Sequence, residues 1–72
     1  MPIVFWSKDD MLKAKDLGEE CKIFEGYDYN FNPNEYRITF YPEKSEQQIK
    51  FVCALNVYNK YSGMQPIVYH IV

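Results

Sequence analysis

From Ile49 to Val57 every second residue is apolar: Ile49, Phe51, Cys53, Leu55 and Val57. Their neighbours Lys50, Asn56 and Tyr58 are more polar, with Val52 and Ala54 as exceptions. Alternation of this kind is the mark of a strand with one buried face, and Ile, Val, Phe and Tyr suit a pleated surface. It predicts a strand within 45–61. A helix is the competing reading. Ser45 with Gln48 forms a potential capping box, and Ser62-Gly63 is a potential stop. A helical wheel, however, sets Gln48 and Asn59 in the middle of the apolar face. The choice decides the fold. As a strand, the segment extends an antiparallel meander. As a helix, it completes the order βαββαβ of the ferredoxin-like split motif.

The remaining elements are common to both readings. Residues 2–6 (Pro-Ile-Val-Phe-Trp) read as a short strand. Ser7 then offers an N-cap hydroxyl, with Asp10 three residues on and Asp9 beside it at the positive end of a helix dipole. Met11, Ala14, Leu17 and Cys21 recur at helical spacing, so a helix is expected over 8–17, continuing at most to 20, with Gly18 weakening its last turn. Residues 22–30 read as a strand in which Gly26 marks a bulge or a close backbone approach. Asn32-Pro33-Asn34 is a turn, and Tyr36 to Tyr41 is the most strand-like hexamer of the chain. Residues 66–72 form a last strand, with Pro66 at its first position. The expectation is α+β: a short N-terminal strand and one helix packed on an antiparallel meander, with βαββαβ as the alternative.

A chain of 72 residues fits one domain, residues 1–72, and buries only about 60% of its unfolded surface. Its net charge of −2, with seven lysines and Arg37 as the single arginine, argues against a dedicated nucleic-acid binder, which draws affinity from neutralising phosphates. No apolar run is long enough to span a bilayer. The N-terminal apolar stretch is short for a signal sequence and has no basic leader, which points to the cytoplasm. In that compartment Cys21 and Cys53 are expected as two buried free thiols.

Catalytic chemistry finds little purchase. His70 is the only histidine, in a β-branched strand, where a satisfied or solvent-facing imidazole is the plain reading. Cys53 falls in the alternating core set, and Cys21 ends a helix whose negative pole disfavours a thiolate. Asp9-Asp10 and Glu19-Glu20 are adjacent in sequence, so their carboxylates diverge on a helix. No phosphate loop is present, and two cysteines with one histidine do not complete a zinc site. The sequence predicts no enzyme, no cofactor and no metal.

The aromatic content is the outlier, with seven tyrosines and a tryptophan. Residues 19–36 hold Glu19, Glu20, Glu25, Asp28 and Glu35 against Lys22 alone, a local charge of −4. Phe24, Tyr27, Tyr29, Phe31 and Tyr36 are interleaved with them. Tyrosine is over-represented at binding hot spots. On an alternating strand Tyr27, Tyr29 and Phe31 share one face and Asp28 and Asn30 the other, so the plain reading is a core side of rings with the acids in water. The functional reading is a hairpin tip, 27–35, whose Tyr27, Asp28, Tyr29, Phe31 and Glu35 would fit a basic, partly apolar groove on another protein, the kind found in nucleic-acid-handling proteins. The bias to Lys, Tyr, Asn, Ile and Phe is typical of AT-rich coding sequences, common in phages and mobile elements. It suggests an inhibitor of a host nuclease or polymerase, acting in the host-cell cytoplasm. Two other readings stand beside this one. One is a single-stranded nucleic-acid binder that stacks bases on Tyr36 and Phe40, with Arg37, Lys44, Lys50 and Lys60 on the backbone. The other is a self-assembling subunit, a homodimer paired through the uncharged last strand.

Overall fold

Ser7 and Ser45 each start a helix. In the computed structural model, which describes all 72 residues, the Ser7 hydroxyl accepts from the Asp10 N–H at 3.2 Å and the Ser45 hydroxyl from the Gln48 N–H at 3.1 Å. The element order is β1 (Ile3–Phe5), α1 (Lys8–Glu20), β2 (Asp28–Asn32), β3 (Arg37–Tyr41), α2 (Glu46–Tyr61) and β4 (Tyr69–Ile71). The four strands form one antiparallel sheet in the order β2-β3-β1-β4. The protein is therefore α+β, and its order is βαββαβ.

The strand expected over 49–57 is the α2 helix instead. Phe51 and Leu55 are fully buried, whereas Ile49, Cys53 and Val57 are exposed. Each set repeats every four residues, and the two sets are offset by two. Superposed, they read as period 2 although each belongs to one side of a helix. The polar residues that argued against a helix do lie on its inner side. Gln48 is buried, and Asn59 grips the chain at Ile67: its amide donates to the Ile67 carbonyl at 2.9 Å and its Oδ1 accepts from the Ile67 N–H at 2.7 Å. Asn59 is tolerable on that side because it satisfies backbone groups that no strand partner reaches, whereas the Gln48 side-chain oxygen is buried without a partner.

Residues 22–27 are not strand. Helix α1 runs on to Glu20 and closes with a Schellman arrangement. The Ile23 N–H donates to the Gly18 carbonyl at 2.8 Å and the Lys22 N–H to the Glu19 carbonyl at 3.1 Å, with Lys22 at φ 56°. Ile23 and Phe24 then turn inward, and Gly26 at φ 78° redirects the chain into β2. Gly18 leaves space for the Phe24 ring. A Cβ at Gly18 would stand 2.4 Å from that ring.

One core of eleven residues lies between the helices and one face of the sheet. Ile3 and Phe5 of β1 and Ile38 and Phe40 of β3 face Met11 and Ala14 of α1 and Phe51 and Leu55 of α2. Phe24 joins the layers, with its ring 5.6 Å from Phe40 and 5.4 Å from Phe51. β4 is held to the helices by polar tethers. The Asp10 carboxylate accepts from the Val68 N–H at 3.2 Å, and the Tyr69 hydroxyl donates to Asn56 Oδ1. Burial pushes the Tyr69 phenol above its ordinary pKa.

Candidate functional site: the β2 edge

β2 is an edge of the sheet, paired on one side only, by β3. Its register sets Asp28 opposite Tyr41, Tyr29 opposite Phe40, and Phe31 opposite Ile38. Directly paired residues share a face. Tyr29 and Phe31 therefore point to the helix side with Phe40 and Ile38, and Asp28 points to the open face with Tyr41.

The five residues singled out in the hairpin divide into two groups. Tyr27 (41% exposed) and Asp28 lie free at the entrance to β2. Tyr29 keeps 38% of its surface in water, but one side of its ring stacks on Phe24 with centroids 4.7 Å apart. Phe31 is half-buried against the core, and the Lys15 ammonium stands 4.4 Å from its ring centroid, so a cation already occupies that face. Glu35 is engaged within the turn. It accepts from the Asn32 side-chain amide at 2.9 Å and pairs with the Arg37 guanidinium at 3.0 Å. Tyr27, Asp28 and part of Tyr29 thus form the accessible part of the patch.

The open face adds a residue that composition alone did not single out. Tyr41, 51% exposed, is the cross-strand neighbour of Asp28. The turn at 33–36 fixes that register, so the pairing could have been counted outward from Asn32-Pro33-Asn34. Asn30 is exposed on the same face, and Glu25 is exposed in the connector that leads into β2, so the edge and its approach are acidic and tyrosine-lined.

Other expectations need correction. Cys21 and Cys53 are exposed free thiols rather than buried ones, because Cys53 belongs to the outer row of α2 and Cys21 to the cap of α1. Phe40 is 0% exposed and cannot stack a base. Lys50 and Lys60 project from the exposed side of α2, not from the open sheet face where the middle strands present Val4, Arg37 and Thr39. His70 lies on that open face opposite Val4. No three His, Cys, Asp or Glu side chains gather at metal-holding distance, and no helix is long and apolar enough to cross a membrane. In comparisons with known proteins, no family, no curated protein and no solved structure matches the chain.

Proposed function

We propose that this chain is a non-enzymatic protein-binding module that offers the free edge of β2 to a basic groove on a partner protein. The observation that carries the reading is the coincidence of three features at one edge: unpaired backbone groups, exposed tyrosine rings, and uncompensated carboxylates at Glu25 and Asp28. Backbone pairing supplies affinity, rings supply contact area, and charge steers a cationic partner. A nucleic-acid-handling protein is the partner class with such a groove. The residue usage of the chain supports the narrower reading of a phage or mobile-element inhibitor of a host nuclease or polymerase, working in the host cytoplasm.

The test is capture of a partner from source-cell lysate by the wild type and by a Tyr27→Ser, Asp28→Lys variant. Both side chains are exposed, so the thermal melt should stay within a few degrees of wild type. The variant should lose the partner, and wild-type capture should weaken as salt rises from about 0.1 M to about 0.5 M. Undiminished capture by the folded variant would refute the β2-edge reading.

A further inference from the structure

Helix α2 carries a second, unrelated surface. Seven of its residues, Glu46, Ile49, Lys50, Cys53, Asn56, Val57 and Lys60, are all exposed. At 3.6 residues per turn, Glu46, Cys53 and Lys60 fall within about 20° of one line, with Ile49 and Val57 about 40° to either side. Ile49 keeps 60% and Val57 57% of their surface in water. The row Ile49–Cys53–Val57 is therefore an apolar ridge at i, i+4 and i+8 with no partner within the chain. Apolar grooves flank it on both sides. One, of about 320 Å³, runs between the ridge and Met1, Lys44 and Ile71. The other, also about 320 Å³, runs between the ridge and Leu17 and Cys21 of α1. Cys53 lines both, so it stands on the crest.

The ridge is symmetric about that cysteine. An antiparallel copy of α2, related by a two-fold axis at Cys53, sets each residue against the one equally far on the other side of Cys53. Ile49 then meets Val57 of the copy, and Lys50 meets Asn56. Glu46, seven residues before Cys53, meets Lys60, seven residues after it. Both ends of the contact are thus closed by opposite charges, and the one charged side chain between them, Lys50, flanks the apolar row and meets the neutral Asn56. Ridge-into-groove packing needs a groove beside each ridge to receive the other. Both are present.

We propose that α2 is the interface of a two-fold symmetric homodimer, with two antiparallel α2 helices crossing at Cys53. A second copy is the occupant because the charge pattern complements itself under that one operation. The three-residue β4 edge, expected from the sequence as the pairing surface, offers far less. Because α2 packs near β4 and β2 lies at the opposite edge, the dimer leaves both β2 edges free. It does not depend on the proposed function.

Sedimentation equilibrium from about 10 μM to about 1 mM protein should find a species of twice the 8.6 kDa chain mass. A monomer throughout that range overturns the proposal and leaves the ridge to a different partner. Val57→Glu should abolish the dimer while keeping the monomer's circular-dichroism melt. Glu46→Lys should weaken association by about tenfold by setting lysine against lysine at both ends, and adding Lys60→Glu should restore most of it. A dimer indifferent to Val57→Glu, or a double swap that restores nothing, rejects the antiparallel register. Chemical crosslinking gives an independent readout. Diamide takes two electrons and two protons from two thiols to form one S–S bond. A Cys21→Ser variant, with Cys53 as its only thiol, should form a covalent dimer efficiently. A Cys53→Ser variant should not, and equal crosslinking of the two would place the axis elsewhere.

Discussion

Gly18 illustrates how one residue can oppose its local propensity. In an exposed helix interior, alanine is favoured over glycine by about 1 kcal/mol. Here the missing Cβ leaves room for Phe24, whose Cε2 and Cζ atoms would lie 2.4 and 2.6 Å from it. The ring has nowhere to go, since Tyr29, Phe40 and Phe51 surround it at centroid distances of 4.7, 5.6 and 5.4 Å. Overpacking of this kind costs about 1–3 kcal/mol, enough to reverse the propensity gain. Gly18→Ala should therefore lower the urea midpoint. A gain of about 1 kcal/mol would show that the ring moves aside. From sequence, Gly18 read only as a weakness near the helix end, because the residue it accommodates arrives six positions later through a turn. Its N-terminal counterpart was legible: Ser7 caps α1, although the Asp10 carboxylate serves the Val68 N–H rather than closing a capping box.

At the scale of elements, local signals carried most of the fold and failed where two periodicities overlapped. β1, α1, the turn after Asn32 and β3 were legible because each has one buried side and a local stop. α2 was not, because it is apolar on its inner and outer sides together, and the outer row imitates the missing half of a strand pattern. The same outer row makes the proposed dimer face, so the misreading and the candidate interface have one cause. The inward Asn59 was equally misleading, since its use lies in the connector after α2. It holds Ile67 by two hydrogen bonds of 2.9 and 2.7 Å, and Ile67 is buried although it precedes β4. Asn59→Ala would leave a buried backbone donor and acceptor without partners. Each costs about 1–3 kcal/mol when stranded, less where water can reach. The variant should lose at least about 2 kcal/mol in denaturant unfolding, and amide exchange should accelerate first at 66–71. Unchanged exchange there would mean that β1 and the Asp10 and Asn56 tethers hold β4 without Asn59.

For the whole molecule, the governing fact is that a thin core is shared with the candidate site. Phe51 of α2, Phe40 of β3, Phe24 of the connector and Tyr29 of β2 form one aromatic series, with successive centroids 5.8, 5.6 and 4.7 Å apart. It runs from the helix layer to the sheet edge, and its last ring is the partly exposed Tyr29. The sequence showed the cluster of rings and acids, but not which rings were core, because that depends on Phe24 folding back beneath β2. The consequence is a gradient along consecutive residues. Tyr29→Ala removes a stacked ring and should destabilise the fold by about 1–3 kcal/mol, a sizeable part of a total of roughly 5 kcal/mol for a domain this small. Tyr27→Ala removes an exposed ring outside the series and should change stability by less than about 0.5 kcal/mol. Measured side by side in urea, the two variants should differ by at least about 0.5 kcal/mol. Equal and small losses would mean that Tyr29 is as free as Tyr27, and the binding surface would then extend across the helix side of β2. Equal and large losses would make Tyr27 a structural residue and leave Asp28, Asn30 and Tyr41 to carry the edge alone.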